Sequence, residues 1–164
     1  MGRKMTRKKD KRLSLAHDHR RAGRLKEALG LYRQILDAEP ENIDTLIILS
    51  AMSLELGQAE GAASMILRAL ACEPVNVQCL DVLEQVLVGF KEPAPQAQVL
   101  YEYSQILKEN GLWDKALARH RQALRLNPKL AYTDNFESIS MLARGNLEQG
   151  WMAYEWRNTV GSLG

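Results

Sequence analysis

Apolar residues return along this chain at the three- and four-residue spacing that lines one face of a helix, and polar residues fill the intervals. Over Lys9–Ala22 and Leu25–Ala38 the stripe consists of Leu15, Ala16, Leu29, Tyr32, Ile35 and Leu36, which predicts two helices facing each other. From Ile43 the pattern thickens. Leu46, Ile47, Ile48, Leu49, Ala51 and Leu54 leave hardly one polar side, so this helix must be covered nearly all round. Further helices are predicted over Val77–Gly89, Ala97–Glu109 and Leu112–Leu126, with FKEPAPQ as a loop between the first two. A last pair over Ala131–Asn158 ends in a helix that carries Leu147, Trp151, Met152, Tyr154 and Trp156.

The pattern is punctuated by a phrase of 18 residues that runs from a glycine to a proline: Gly23–Pro40, Gly57–Pro74 and Gly111–Pro128, with an incomplete copy from Gly145. Five residues after each glycine stands a small residue (Ala28, Ala62, Ala116, Gly150), and nine after it Tyr32, Ile66, His120 or Tyr154. Seven residues before each glycine the residue is again small: Ala16, Ser50, Ser104, Ser138. Two helices joined at a glycine approach closely only where small side chains line the crossing, and a larger one there overpacks at a cost of roughly 1 to 3 kcal/mol. The glycine supplies the left-handed backbone just past the first helix. Proline closes the second, because it has no N–H to donate and pushes its predecessor out of the helical region.

Pro40 and Pro74 are 34 residues apart, and that period, with small, aromatic and proline positions in this order, resembles the tetratricopeptide repeat over about residues 9–158. The early tryptophan position of that family reads Arg12, Leu46, Leu100 and Asp134 here, and its later tyrosine position reads His19, Ser53, Leu107 and Met141. The resemblance implies an all-α solenoid of antiparallel helix hairpins with about nine helices: repeats near 9–42, 43–76, 97–130 and 131–158, an extra helical stretch over 77–96, and a tail over 159–164. The segment Ala97–Glu109 carries the spacing of both a first and a second helix, so it is expected to pair backward with Val77–Gly89 and forward with Leu112–Leu126.

The same resemblance implies a scaffold that binds protein or peptide partners. The basic clamp that such repeats use for chaperone termini is replaced by Leu13, His17, Ile48, Gln78 and Val82, and the asparagine ladder of the sugar-transferase repeats by Ser14, Ile48, Val82, Glu102 and Phe136. What remains is a concave groove with apolar patches at Ile47, Ala51, Leu54, Val82 and Tyr101, suited to an amphipathic helix or an apolar peptide. The stretch GNLEQGWMAYEWR is similar to the close of the repeat region in bacterial proteins that join these repeats to a glycosyltransferase, through Trp151, Tyr154, Glu155 and Arg157. Two alternatives follow. Trp151, Tyr154 and Trp156 dock on a separate glycosyltransferase, or they form an unsealed edge that assembles copies of the chain, since a solenoid ordinarily ends on a polar face.

Composition narrows the partner class. With 164 residues, 46% hydrophobic and 26% charged, the chain has the profile of one soluble globular domain, and no apolar run is long enough to span a bilayer. No secretory signal is expected, because the basic N-terminus is not followed by an apolar core, so the expected location is cytoplasmic. The net charge of +2 hides an asymmetry: Arg3, Lys4, Arg7, Lys8, Lys9, Lys11 and Arg12 make residues 1–12 a basic arm of net +6, while the remainder is net −4. No aromatic residue interleaves with the arm, and an acidic body disfavours nucleic acid.

Cys72 and Cys79 fit neither a disulfide framework nor a C-x-x-C motif and read as reduced thiols. His17 and His19, two apart on a helix, point to opposite sides and do not converge on a metal. Nucleophile elbows, phosphate loops, H-E-x-x-H and dinucleotide turns are missing, so no catalysis and no cofactor are expected.

Overall fold

The structure is a computed structural model that describes residues 2–133, 136–143 and 145–152, with side chains from Lys11 onward apart from residues 131–137 and 140. Every regular element among the described residues is helical, and the chain divides into two compact units, Met1–Gly89 and Phe90–Gly164. The first unit holds α1 (Gly2–Arg21), α2 (Leu25–Ala38), α3 (Ile43–Glu55), α4 (Ala59–Cys72) and α5 (Val77–Gly89). α1 with α2, and α3 with α4, form hairpins; α3 also touches α2 and α5, and α5 packs mainly on α4. The second unit holds α6 (Pro93–Glu109) paired with α7 (Trp113–Leu126), a 3-10 turn over Pro128–Thr133, and α8 (Phe136–Ala143), with residues 147–152 helical after it. This is the expected all-α, TPR-like helix-hairpin architecture. Residues 147–152 are a ninth α-helical stretch among the described residues.

The repeated phrase has one backbone geometry throughout. Gly23, Gly57, Gly111 and Gly145 all sit at φ between 72° and 79°, a region that side-chain-bearing residues resist. At each turn two hydrogen bonds recur. Gly57 N–H donates to Leu54 C=O at 2.9 Å and Gln58 N–H to Ser53 C=O at 2.8 Å, and the other three turns repeat the pair. That is the bonding by which a left-handed glycine satisfies the last carbonyls of a helix.

The small residues meet where they were expected to. Ala16, Ser50 and Ser104 are fully buried, as are Ala28, Ala62 and Ala116. In the second hairpin the contact is direct, because Ser50 Oγ donates to the Ala62 carbonyl at 2.8 Å. At the incomplete copy a β-carbon on Gly150 would stand 2.7 Å from Leu142 Cγ, closer than side chains pack.

Two elements begin earlier than the sequence pattern indicates. α1 reaches back to Gly2, so the basic stretch is continuous with the first helix rather than a separate lead-in. α6 starts at Pro93, not Ala97, with Glu92 as its cap. Prolines tolerate the first turn of a helix, where their missing N–H has no partner to lose, and the PAPQ end of the expected loop FKEPAPQ becomes that turn. The forward pairing of α6 with α7 is present.

The turns after Pro40 and Pro74 carry a device that the spacing of glycines and prolines does not announce. Asn42 and Asn76 cap α3 and α5: Asn42 Oδ1 accepts from Thr45 N–H at 3.0 Å, and Asn76 Oδ1 from Cys79 N–H at 3.1 Å. Their amide nitrogens donate back to Glu39 and Glu73 at 3.0 and 2.7 Å. The phrase Glu-Pro-x-Asn thus ends one helix and starts the next, each cap contributing about 1 kcal/mol. Because α5 is capped like α3 and packs on α4 and α3, the extra helix takes the place of a third first helix.

Candidate functional site

α3 divides the first unit into two unlike surfaces. Ile47, Ala51 and Leu54, spaced at i, i+4 and i+7, lie half-buried along one face. Val82 is buried on α5, which packs against α3, and a β-carbon at Gly89 would stand 3.1 Å from Leu54 Cδ2. These four expected groove residues share one unit. Tyr101 does not: it is half-buried on α6 of the second unit, its ring 5.8 Å from that of His120.

On the opposite face of α3, a cavity of about 540 Å³ opens between α2 and α4. Leu29, Leu36, Leu49, Leu56 and Met65 make its apolar floor and walls, with Arg33, Asp37 and Arg68 at the rim. The sequence reading placed Leu29 and Leu36 in the core stripe. They are half-buried, because α2 and α4 lie on either side of the floor that α3 provides. Leu56, next to the turn glycine and 51% exposed, is the signal in the sequence: an apolar residue at a helix end that the core does not need.

A second recess, of about 600 Å³, is formed by the two Glu-Pro-x-Asn turns and lined by Glu39, Glu41, Asp44 and Glu73 with Asn42 and Asn76. It adjoins the cysteines. Burial, then Glu73, pushes the Cys79 thiol up to about 11, and burial, then Glu41, raises that of Cys72. Both stay protonated near neutrality, which suits structural thiols and not nucleophiles. Since the folded value of Cys79 exceeds the ordinary thiol value of 9.0, its contribution to stability is complete below about 9 and is lost as the pH rises through about 11. At pH 8 iodoacetamide is expected to modify the exposed Cys72 and to leave the buried Cys79 intact until the chain is unfolded, which peptide mass mapping with and without urea will show.

Among the described residues, no group of three or more His, Cys, Asp and Glu side chains is placed to hold a metal, and no helix is long and apolar enough to cross a membrane. His17 is engaged otherwise, its Nδ1 paired with the Tyr32 hydroxyl at 3.2 Å, and Arg24 Nε donates to His19 Nδ1 at 3.0 Å.

Of the basic arm, Arg3, Lys4, Arg7, Lys8 and Lys9 follow the helical backbone of α1, their side chains lying outside the described residues. Lys11 is exposed and Arg12 half-buried. At the other end Trp151 is 53% exposed, beside Leu147 at 60% and Met152 at 65%, while Tyr154 and Trp156 lie outside the described residues.

Residues 19–86, which run from the end of α1 into α5, match the tetratricopeptide repeat family. No curated protein matches the chain. Among solved structures, a crystal structure of MamA protein aligns at 14% identity over 91% of this chain and 89% of that one, with a TM-score of 0.41. A MamA structure from AMB-1 aligns at 20% identity over 94% and 92%, with a TM-score of 0.39. The class that the fold and this match define is a TPR-like helical repeat.

Proposed function

We propose that the chain is a non-catalytic interaction module that captures an apolar or amphipathic helical segment on the face of α3 bearing Ile47, Ala51 and Leu54, with Val82 beside it. The observation that carries this reading is the i, i+4, i+7 row of half-buried apolar side chains on a helix already anchored by Leu46, Leu49 and Met52 on its other sides. An amphipathic helix presents anchors at the same spacing and gains by completing the burial of such a row. Tyr101 belongs to the other unit and is left outside this surface.

The test uses immobilised amphipathic helical peptides as probes. The parent chain is expected to retain a subset of them, and Ile47→Asp with Leu54→Asp to weaken that retention at least tenfold without changing the helical circular dichroism. Unchanged retention by a folded variant would remove this face from consideration.

A second reading, self-association, is favoured by the exposed group Leu147, Trp151 and Met152. Docking on a separate glycosyltransferase draws on Trp151, Tyr154 and Trp156, of which only Trp151 is described, so self-association is the better supported use of this edge.

A further inference from the structure

We propose that the groove between α2 and α4 is the acceptor for the Leu147–Trp151 edge of a second copy of this chain, an inference that rests on the self-association reading and names its receiving surface. The groove is built to receive something apolar. Leu49 forms its floor at 6% exposure, Leu56 stands over it half exposed, and the flexible thioether of Met65 lines the α4 side, able to adapt to an incoming side chain. Its volume, about 540 Å³, has room for a tryptophan with a leucine beside it.

One end of the groove holds a fixed cation. Arg68 Nη2 donates to the Pro40 carbonyl at 2.9 Å, and its Nη1 lies 3.9 Å from Met65 Sδ. These contacts set the guanidinium across the groove end, yet a guanidinium carries five N–H donors and Arg68 remains exposed, so part of the fork faces outward. With Arg33 also on the rim against the single carboxylate of Asp37, the groove favours an apolar ligand that brings an acid.

The chain carries a ligand of that chemistry. Leu147 and Trp151 are four residues apart, hence on one helical face, and both are more than half exposed. Glu148, exposed, flanks them. Seating Leu147 and Trp151 on the floor would bring the Glu148 carboxylate to a rim that carries Arg33 on the α2 wall and Arg68 on the α4 wall. Donor edge and acceptor groove are different surfaces, so the contact is heterologous and propagates from copy to copy as a ring or a filament.

The experiment measures the mass of the full chain by light scattering over a hundredfold range of concentration, for the parent, for Trp151→Glu, and for Leu56→Asp with Arg68→Glu. The groove substitutions fall on exposed positions, and circular dichroism checks that each variant is folded. The parent is expected to grow with concentration and each variant to stay a monomer, with association at least tenfold weaker. The decisive step is to mix the two variants. One keeps an intact groove and the other an intact edge, so they should form a dimer that grows no further. A parent that stays monomeric throughout overturns self-association and the groove together. Loss of assembly in Trp151→Glu but not in the groove variant, or no dimer on mixing, leaves self-association standing and overturns the groove as its acceptor.

Discussion

Replacing Tyr32 by alanine is expected to lower the stability of the first unit by about 3 to 5 kcal/mol, the range for removing a buried aromatic ring. Tyr32 is fully buried and stands in one cluster with Ala16, Ala28, Ile35, Leu49 and Met52, so its ring joins the α1–α2 hairpin to α3. The small residues at Ala16 and Ala28 let the two helices close around it, and neither can grow to refill the space. Its hydroxyl, paired with His17 Nδ1 at 3.2 Å, contributes much less. Tyr32→Phe keeps the ring and is expected to cost only about 0.5 to 1.5 kcal/mol, the net value of one hydrogen bond. Urea unfolding followed by circular dichroism separates the two variants. Equal losses in both would mean that the hydroxyl, not the packing, holds this hairpin.

The parts of the fold that were legible in the sequence are those set by local backbone demands. A positive φ at Gly23, Gly57, Gly111 and Gly145 and close helix crossings at Ser50 and Ala62 leave fixed residue types at fixed offsets, and these can be counted. The start of α6 was misplaced because Pro93 and Pro95 stop a helix in its interior and begin one in its first turn, and spacing alone does not say which applies. Asn42 and Asn76 are legible in the same way, because the residue that bonds the next helix stands two places beyond the proline that ends the last one.

The candidate surfaces were less accessible, for a different reason. Ile47, Ala51 and Leu54 share a helix, so their common face follows from helical geometry. Tyr101 was grouped with them by repeat register, which carries no information about a compact-unit boundary at Gly89. The α2–α4 groove was missed because it depends on a space between helices that are not adjacent in sequence. Leu29 and Leu36 have the spacing of core residues whether or not a neighbour covers them.

The second large effect is expected within α3, where adjacent positions should respond in opposite directions. Leu46 is fully buried on a helix flanked by α2, α4 and α5, so Leu46→Ala leaves a cavity that packed neighbours on several sides cannot collapse into, at a cost of about 2 to 5 kcal/mol. Thr45, next to it and also fully buried, has a hydroxyl without a hydrogen-bond partner. A buried hydroxyl without a partner carries its desolvation penalty, so Thr45→Val, which keeps the branched shape and removes the polar atom, is expected to stabilise the unit by about 1 kcal/mol. The Asn42 cap is untouched by the exchange, because it bonds the Thr45 backbone N–H and not the side chain. Denaturation midpoints at constant m-value measure both changes. A loss in Thr45→Val comparable to that in Leu46→Ala would show that the hydroxyl is satisfied in solution, and that the start of α3 is held by a polar contact as well as by its asparagine cap.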